Sequence, residues 1–343
     1  MHGGVGLITF TDHATPASEP SAGDQPVVQP DSPQPELSVI VVTHNRSQLA
    51  LDTLEAAFTA AGELSTEWFV VDSGSIDGTP EAIEDARPEL EVERLANVGF
   101  AAANNVALAR ASGRYVLLLN PDCVVLEGDF RTLIEALDAR PEIGVASVIQ
   151  VGPSGDLQHS IRHYPSARLA LGEALALDRC FKRGRWREED TTVRRYDRVG
   201  SVDWLVGAFL IARADAVREV GFLDERFFLY AEELDWCYRF RQAGWDVCHI
   251  PAMTVTHHTS GNVRADLMAQ LSYAKVLFAR KHYGRLQVAA IRVSIATRHG
   301  VRALIARLLS ARGSGWRSRA DVEQHALAVV LGRADPPFGG TRL

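Results

Sequence analysis

Short apolar runs alternate with longer amphipathic segments along the chain from residue 37 onward. Residues 37–42 (LSVIVV) and 115–119 (YVLLL) are almost entirely apolar, which is typical of strands buried on both faces of a parallel sheet. Residues 48–61 and 101–111 instead carry apolar side chains near helical spacing. This alternation predicts right-handed crossovers between parallel strands, and therefore an α/β protein whose mostly parallel central sheet is flanked by helices.

The same pattern continues, less regularly, towards the C-terminal third of the chain. It predicts strands over 68–72, 90–95, 145–151, 202–212 and 245–250, and helices over 130–139 and 232–243. The stretch over 157–200 is irregular and basic, and no internal repeat is visible. We expect the predicted strands and helices to form one domain over residues 36–285.

The two ends of the chain differ in composition from this domain. Residues 1–35 are rich in Pro, Ser, Ala, Asp and Gln and contain little that could pack, so we expect a disordered leader. No acidic residue occurs between Asp266 and Asp321, while lysine and arginine are frequent there. Apolar residues are spaced among the arginines over 287–310, so residues 286–343 are predicted to form a basic amphipathic helical tail.

This basic tail permits two interpretations. Its arginines suit docking to anionic lipids, which would make the protein peripheral on the inner face of the cell membrane. The alternative is a helix that packs on the preceding domain and leaves its basic face in water. The N-terminus lacks the pattern of a secretory signal, and no apolar stretch is long enough to span a bilayer, so a cytoplasmic location is expected in either case.

Overall composition excludes some classes of function. The chain has 343 residues, 46% of them hydrophobic, and a formal net charge of -7, so it is no general nucleic-acid binder. Its four cysteines show no CxxC spacing and are too few for a disulfide framework. Reduced thiols in the cytosol are therefore expected.

An acid follows the most apolar of the predicted strands. Pro121 cannot donate a hydrogen bond to a neighbouring strand, so the strand should end before it and leave Asp122 at its carboxyl end. Open α/β sheets bind their ligands at this edge, and Mg²⁺ takes one or two protein carboxylates together with substrate phosphates. One of the adjacent residues His257 and His258, which would face opposite sides of a strand, could complete such a metal site with Asp122, although a single histidine near the surface is more often inert.

Polar residues also follow the other predicted strands. Residues 43–46 (THNR) and the turn from Asp72 to Thr79 could hold a nucleotide, and the segment over 97–105 opens a helix whose N-terminus favours anions. The alternatives are helix capping and ordinary turn chemistry. No GxGxxG follows the first strand, and GxxxxGK[ST] is absent, so dinucleotide-binding and P-loop sites are not indicated.

A cluster of acids begins the predicted helix over 232–243. On a helix, Glu232 and Asp235 share one face and Glu233 lies beside them. Apolar neighbours would desolvate these carboxylates, and a desolvated carboxylate with a raised pKa can serve as a general base. The alternative is an acidic first turn that complements the helix dipole.

Taken in order, these segments resemble the family 2 inverting glycosyltransferases of the GT-A fold. The resemblance extends over roughly residues 37–285 and is greatest to the rhamnosyltransferase-like branch. Its motifs are VIVVTHNR at 39–46, VDSGSIDGT at 71–79, NVGFAAANN at 97–105, LLNPD at 118–122, WLVGAFLIAR at 204–213, GFLDERFFLYAEELDWCYR at 221–239, and His257.

The resemblance implies a Rossmann-like sheet and a set of site residues. The nucleotide sugar would be held by Thr43, Asn45, Asp72, Asn97, Asn104 and Asn120, the last standing where other members carry the first Asp of a DxD motif. Asp122 and His257 would bind Mg²⁺ or Mn²⁺, and Trp204, Gly207 and Ala208 would shape the acceptor pocket. Glu233 occupies the place where many members have the catalytic Asp, with Asp235 as the rival base.

The implied activity is metal-assisted, inverting transfer of a sugar from a nucleotide-diphosphate sugar. The expected sugar is a deoxyhexose such as rhamnose, and the expected acceptor is a cell-envelope glycan or a polyprenyl-diphosphate-linked glycan. A nucleotidyltransferase on a similar sheet is one alternative, although residues 43–46 match its signature poorly. A non-catalytic module that binds sugar nucleotides or glycans is another.

Overall fold

The apolar runs form a central sheet in the computed structural model, which describes residues 34–174, 187–258 and 265–343. Most of the predicted leader over 1–35 lies outside the described residues. In chain order the strands are β1 (Leu37–Thr43), β2 (Thr66–Ser73), β3 (Val92–Leu95), β4 (Tyr115–Leu119), β5 (Cys123–Glu127), β6 (Ile143–Val151), β7 (Ile161–Arg162), β8 (Gly200–Ser201), β9 (Trp204–Leu205), β10 (Phe209–Arg213) and β11 (Asp246–His257).

Helices connect these strands and extend beyond the last of them. In the described parts of the chain they are α1 (Ser47–Ala61), α2 (Thr79–Ala86), α3 (Phe100–Leu108), α4 (Phe130–Asp138), α5 (Ala167–Ala174), α6 (Ala214–Val220), α7 (Glu232–Gln242), α8 (Ala265–His282), α9 (Arg285–Leu308) and α10 (Ser314–Val330). The prediction of an α/β protein with a C-terminal helical extension is confirmed.

The sheet is parallel in its first half and mixed in its second. Its strand order is β3-β2-β1-β4-β10-β6-β11-β5, with β8 paired to β11. Strands β3, β2, β1 and β4 run parallel, as the strand–helix alternation predicted. Strand β10 is antiparallel to both β4 and β6, and β5 is antiparallel to β11. The carboxyl ends of β1, β2 and β4 therefore meet at one edge.

Successive residues of each central strand enter two different cores. Val39 and Val41 belong to one cluster with apolar residues of α1 and α4, whereas Ile40 and Val42 belong to another with residues of α3 and α7. Side chains alternate between the faces of a strand, so a strand covered by helices on both sides must be apolar throughout. This is why the first and fourth strands read as continuous apolar runs.

Two stretches differ from their predicted elements. The strand predicted over 202–212 is divided into β9 and β10, and residues 206–208 form the turn between them. The strand predicted over 245–250 continues to His257 as one long strand, which pairs with both β6 and β5. Strand β5 was not predicted, because it follows β4 after only three residues.

The helices after β11 pack against one another as well as on the domain. Val276 of α8, Ile291 and Ile295 of α9, and Val330 of α10 form a shared apolar cluster. In the described part of the chain, no helix is both long enough and apolar enough to cross a membrane. Cys123, Cys237 and Cys248 are free and buried. Cys180 lies outside the described residues.

Candidate active site

A cavity of about 480 Å³ opens at the carboxyl ends of β1, β2 and β4. This is the edge at which open α/β sheets bind ligands. Four residues predicted from the sequence line this first cavity: Thr43, Asn97, Asn120 and Asp122. The other lining residues are Val42, His44, Arg46, Ser73, Gly99, Phe100, Pro121, Phe228, Leu229, Leu267 and Phe338.

Asp72 holds together the ends of β1 and β2. The hydroxyl of Thr43 donates to Asp72 Oδ2 at 2.9 Å, and the backbone N–H of Ser75 donates to Oδ1 at 2.8 Å. Thr43 lies beside Asp72 because β1 and β2 are parallel neighbours. Asp72 is 2% exposed and both of its carboxylate oxygens are occupied, so it stabilises the turn beside the first cavity and does not line it.

Asn45, which follows β1, also stabilises the turn after β2. Its φ of 52° lies in the left-handed region, which Asn tolerates better than most residues. Its N–H donates to Ser75 Oγ at 2.8 Å, and its Oδ1 accepts from the N–H of Ile76 at 2.8 Å. Asn45 is exposed and lies outside the first cavity, whereas its neighbours His44 and Arg46 line that cavity.

The two asparagines predicted to hold the nucleotide sugar have different environments. Asn97 is exposed and lines the first cavity. Asn104 is 1% exposed, and its Nδ2 donates to the carbonyl of Phe100 at 2.8 Å within α3. The structure therefore does not bring Asn104 into the cavity. Gly99, with a φ of 88°, permits close packing there, because a β-carbon at this position would lie 2.4 Å from the carbonyl oxygen of Phe228.

Asp122, which lines the first cavity, lies close to a histidine and an arginine. The distance from Asp122 Oδ1 to His257 Nε2 is 3.8 Å, and from Asp122 Oδ2 to Arg46 Nη1 it is 3.7 Å. The antiparallel pairing of β11 with β5 places His257 opposite Cys123, the residue after Asp122. This strand pairing therefore brings together the predicted pair Asp122 and His257, although the two residues are 135 positions apart in the sequence.

Gln158 determines which nitrogen of His257 faces Asp122. Gln158 Nε2 donates to the carbonyl of His257 at 2.7 Å, and its Oε1 lies 3.2 Å from His257 Nδ1. Since Oε1 can only accept, Nδ1 carries the proton and the lone pair of a neutral ring lies on Nε2. Burial lowers the pKa of His257, which favours that neutral ring.

Asp122 and His257 fit a divalent cation that a phosphorylated substrate would share. Among the residues described, no three His, Cys, Asp or Glu side chains are grouped as a metal site. Mg²⁺ and related ions commonly take one or two protein ligands and complete their coordination with substrate phosphates and water. The carboxylate suits Mg²⁺ or Mn²⁺ once a diphosphate is present, and the imidazole lone pair suits Mn²⁺, the softer of the two ions, better than Mg²⁺.

A short series of contacts joins the end of β4 to the first turn of α7. The N–H of Asn120 donates to the carbonyl of Ala208 at 2.9 Å. The preceding residue, Gly207, lies against Glu233, since a β-carbon on Gly207 would be 3.2 Å from Glu233 Cβ. The predicted acceptor residues Gly207 and Ala208 thus lie between Asn120 and Glu233. These contacts link the segment that carries Asp122 to the predicted base, although Glu233 itself does not line the first cavity.

Glu232 and Glu233 begin α7 with carboxylate oxygens that lack partners. The Oε2 atom of each is buried and has no hydrogen-bond partner within the described ranges. Burial raises the pKa of both carboxyls, and the charge of Glu233 raises that of Glu232 further. The two preceding residues, Tyr230 and Ala231, have φ values of 70° and 66°. Such left-handed backbone in residues other than glycine is concentrated at functional sites.

Asp235 has a different environment, although it belongs to the same helical turn. It has no exposed surface, and its Oδ2 accepts from Arg239 Nε at 2.8 Å. Its Oδ1 accepts from His282 Nε2 at 2.7 Å and lies 2.6 Å from Lys281 Nζ. Burial alone would raise the pKa of this carboxyl, but the hydrogen bond from His282 and the two cations outweigh burial and lower it.

Trp204 contributes to packing beside the site. It is 7% exposed, and its Nε1 donates to the carbonyl of His163 at 3.0 Å. It forms β9 with Leu205, and this short strand pairs with β7. The indole therefore holds β7 and β9 together, immediately before the turn that contains Gly207.

A second cavity, of about 360 Å³, shares His257 as part of its wall. Sequence reasoning did not indicate this cavity, because most of its residues come from irregular segments and the two-residue strand β7. It is lined by Gln150, Asp156, Gln158, His159, Ser160, Arg162, Glu189, Val206 and His257.

The C-terminal residues return to the first cavity, which sequence reasoning also missed. Phe338 lines the cavity and stacks on Phe228, with ring centroids 5.8 Å apart. Its N–H donates to Gln270 Oε1 at 3.3 Å, and Tyr273 donates its hydroxyl proton to the carbonyl of Thr341 at 3.1 Å. The sequence PPFGG at 336–340 indicates a turn, but it does not indicate where that turn lies.

Comparison with known proteins relates the chain to glycosyltransferases. Residues 38–201 match the family model described as Glycosyl transferase family 2. The chain is 28% identical over 268 residues to the N-acetylglucosaminyl-diphospho-decaprenol L-rhamnosyltransferase of Mycobacterium tuberculosis, a match that covers 72% of this chain and 85% of that protein. It is 27% identical over 177 residues to rhamnosyltransferase WbbL of Escherichia coli K12, covering 49% of this chain and 63% of that one.

Solved structures support the fold independently. The mannosyltransferase PcManGT from Pyrobaculum calidifontis, in complex with GDP-Man and Mn²⁺, matches with a TM-score of 0.52 at 16% identity and covers 88% of each chain. GalNAc-T7 with UDP, GalNAc and Mn²⁺ matches with a TM-score of 0.52 at 13% identity, covering 86% of this chain and 55% of that one. The resemblance inferred from the sequence motifs is confirmed: residues 38–201 match the family 2 glycosyltransferase model, the fold is that of GT-A enzymes, and the chain is a glycosyltransferase.

Proposed function

We propose that this glycosyltransferase moves a deoxyhexose such as rhamnose from a nucleotide-diphosphate sugar to an acceptor sugar carried on a polyprenyl diphosphate. The similarity to the Mycobacterium tuberculosis rhamnosyltransferase, over 85% of that protein, supports this choice of donor sugar and acceptor. The observation that carries the catalytic proposal is the contact of Gly207 with Glu233. Gly207 is followed by Ala208, whose carbonyl accepts a hydrogen bond from Asn120. The product would serve the assembly of a cell-envelope polysaccharide.

In this proposal the first cavity binds the nucleotide-diphosphate sugar. Thr43, Asn97 and Asn120 contact the donor directly, since all three line the cavity. Asn45 and Asp72 act through the turn that they hold. Asn104 acts in the same indirect way through α3, and Arg46 contributes positive charge beside the diphosphate.

Glu233 is the general base. Its unpaired oxygen and raised pKa leave it free to take the proton of the acceptor hydroxyl as that oxygen attacks the anomeric carbon from the face opposite the diphosphate. A single in-line displacement then inverts the anomeric centre. Asp235 does not serve as the base, because its oxygens are already occupied by Arg239, His282 and Lys281.

Asp122 and the Nε2 atom of His257 would hold Mg²⁺ or Mn²⁺. When bound, the ion offsets the negative charge that accumulates on the departing diphosphate. Gln158 keeps the imidazole in the orientation and tautomer that this requires, as partners beyond the direct ligands commonly do. The solved PcManGT and GalNAc-T7 complexes both contain Mn²⁺, which supports the choice of ion.

Replacement of the base tests the catalytic proposal. We expect Glu233→Gln to bind the donor as the wild type does and to lose transfer by about a hundredfold to ten-thousandfold, the usual contribution of a general base. The assay follows release of nucleoside diphosphate with and without EDTA, and donor affinity is measured by calorimetry. Glu135→Gln, on the exposed side of α4, is the control. Full turnover by Glu233→Gln would remove the base role from this residue.

The same assay distinguishes the alternative functions. A nucleotidyltransferase would release pyrophosphate from a nucleoside triphosphate, whereas a glycosyltransferase releases a nucleoside diphosphate only when it transfers or hydrolyses the sugar. A non-catalytic binding module would release neither. The partly buried Glu233, whose Oε2 atom has no partner among the described residues, favours the enzyme, because a binding module gains nothing from a carboxylate that costs stability.

The exposed face of α9 suits a membrane carrying the lipid-linked acceptor. Leu286, Val293, Leu304 and Leu308 are 89%, 64%, 59% and 74% exposed. The opposite face of the helix packs against α8 and α10, so both interpretations of the tail can hold at once. Exposed arginines such as Arg307 would meet anionic lipid headgroups, while the leucines enter the interfacial region. The enzyme is then cytoplasmic and peripheral on the inner membrane face.

Substitution of this face tests membrane docking in the full-length protein. We expect Leu304→Gln with Leu308→Gln to weaken sedimentation with anionic vesicles by about tenfold or more, since burying a leucine contributes about 1.5 to 3 kcal/mol. Leu126→Gln is a matched control, because Leu126 is also exposed (53%) but lies on β5. Equal vesicle binding by all three proteins would contradict docking through α9 without affecting the catalytic proposal.

A further inference from the structure

We propose that the second cavity binds the terminal sugar of the acceptor as a neutral pyranose ring, and that the acceptor diphosphate lies outside it. The cavity residues that carry the inference are Gln150, Ser160, Arg162 and Glu189, together with His257. This inference rests on the proposed glycosyl transfer and adds the chemical class that the acceptor site selects.

Buried polar atoms without partners are concentrated in this cavity. Gln150 Oε1, His159 Nδ1, Ser160 Oγ and Arg162 Nε are all buried and have no hydrogen-bond partner in the described segments of the chain. Gln150 and Ser160 are each only 1% exposed. A folded protein rarely leaves such atoms unpaired, because burial removes their hydrogen bonds to water and no protein hydrogen bond takes their place. Four such atoms around one cavity indicate a bound polar molecule.

The types of these atoms match sugar hydroxyl groups. Gln150 Oε1 can only accept, Arg162 Nε can only donate, and Ser160 Oγ can do both. A hydroxyl group both donates and accepts, so a ring carrying several hydroxyls, or an acetamido group, can satisfy all of these atoms. The cavity volume of about 360 Å³ is near the lower end for small-molecule pockets, which suits one ring.

The charges of the cavity do not suit a diphosphate. Arg162 Nη1 already pairs with Glu189 Oε1 at 3.0 Å, and Asp156 supplies a second carboxylate. Among the described residues that line the cavity, the charge of Arg162 is therefore offset. A dianionic group would meet these carboxylates with no unpaired arginine or lysine among those lining residues, whereas a neutral ring can use the carboxylates as hydrogen-bond acceptors.

The location of the cavity matches the path of an acceptor. His257 lines this cavity, and its Nε2 atom lies 3.8 Å from Asp122 of the first cavity. Val206 also lines it and precedes Gly207, which lies against Glu233. The N–H of Val206 donates to the carbonyl of Ser160 at 3.0 Å, which fixes this turn beside the cavity. A sugar held here would lie next to the proposed base.

Two conservative variants test the inference by separating acceptor from donor. Ser160→Ala removes one unpaired hydroxyl, and Arg162→Lys keeps the charge beside Glu189 but loses Nε–H. With a soluble N-acetylglucosaminyl diphosphate carrying a short prenyl chain, we expect each variant to raise the acceptor KM by about threefold to tenfold. Donor affinity by calorimetry should not change. Ser160→Ala should also melt no lower than the wild type, because it removes a buried unpaired group.

Ser65→Ala is the control, because Ser65 is also exposed and lines neither cavity. Its acceptor KM should equal that of the wild type. As a ligand test, the methyl glycoside of N-acetylglucosamine should compete with the acceptor in the wild type and compete more weakly in Ser160→Ala. Inorganic pyrophosphate should compete equally in both proteins.

Several results would overturn the inference. One is an unchanged acceptor KM in both variants, and another is a loss of donor affinity, which would assign the cavity to the donor. Pyrophosphate competition that weakens in Ser160→Ala would make the cavity a diphosphate site. If the wild type transfers no sugar, the proposed function fails by itself. Saturation-transfer NMR with the methyl glycoside on the wild type and Ser160→Ala then still decides whether the cavity binds a sugar.

Discussion

The first turn of α7 presents two acids in opposite surroundings. Glu233 has an unpaired oxygen and a raised pKa, whereas Asp235 has cationic partners and a lowered pKa. Each residue of an α-helix turns by about 100°, so two residues that are two positions apart point to nearly opposite sides. One helical turn therefore provides both a carboxylate free to react and a carboxylate that holds the structure.

The contrast shows how the protein stabilises a site that is itself unfavourable. The carboxylates of Glu232 and Glu233 cost stability because they are buried near each other. Asp235 offsets part of that cost, because it binds α7 to the end of α8 through His282 and Lys281. The reactive acids thus begin a helix that is anchored from its other side.

The largest expected effect comes from neutralising Asp235. Asp235→Asn leaves Arg239 and Lys281 without their buried carboxylate, and removal of one partner from a buried ion pair typically costs about 3 to 5 kcal/mol. Because those cations keep some exposure (20% and 19%), we expect the lower end, about 3 kcal/mol, in the free energy of unfolding. Urea denaturation at neutral pH measures this loss.

Glu233→Gln is the matched variant for this measurement. It changes an acid to an amide in the same helical turn, yet it should leave the free energy of unfolding unchanged or increase it. If both variants lose the same stability, the distinction between a reactive and a structural acid is wrong. If only Glu233→Gln loses stability, the two roles must be exchanged.

The pH dependence of stability should differ between the same proteins. The folded-state pKa of Glu233 is raised above its ordinary value of 4.5, so its favourable contribution is present below that value and is lost as pH rises through the folded-state pKa. Glu233→Gln removes this loss. We therefore expect its stability advantage over the wild type to grow as pH rises above about 4.5.

Denaturation at a series of pH values measures this trend, with the exposed Glu135→Gln as control. The effect should be smaller than the loss caused by Asp235→Asn, because no buried ion pair is broken. A pH-independent difference between Glu233→Gln and the wild type would contradict the raised pKa of this carboxyl.

Some of this arrangement could be predicted from the sequence because it follows from strand geometry. Carboxyl ends of parallel strands meet at one edge, so polar residues that follow apolar runs, such as Thr43, Asp72 and Asp122, could be assigned to that edge from the sequence. The sequence could not separate Asn97, which lines the cavity, from Asn104, which bonds within α3. That difference depends on which side of the helix faces the sheet.

Long-range packing accounts for what the sequence did not reveal. The partners of Asp235 come from the end of α8, and nothing in the local pattern of α7 indicates them. Phe338 reaches the first cavity only because α10 returns along α8. Arg162 lines the second cavity from the two-residue strand β7 and Ser160 from the residue before it, and this strand is too short to give a periodic signal.

The smallest expected effect comes from removing one partner of an exposed helical ion pair, whose spacing along the helix is close to that of Asp235 and Arg239. Asp215 and Arg218 pair on α6 with side chains 70% and 68% exposed, whereas Asp235 and Arg239 pair on α7 with exposures of 0% and 20%. Water already solvates the exposed pair, so Asp215→Asn should change the free energy of unfolding by about 0.5 kcal/mol or less. Urea denaturation in low and high salt measures the difference, and added salt should reduce it further. A loss comparable to that of Asp235→Asn would mean that burial does not distinguish the two pairs, and the structural role of Asp235 would then need another explanation.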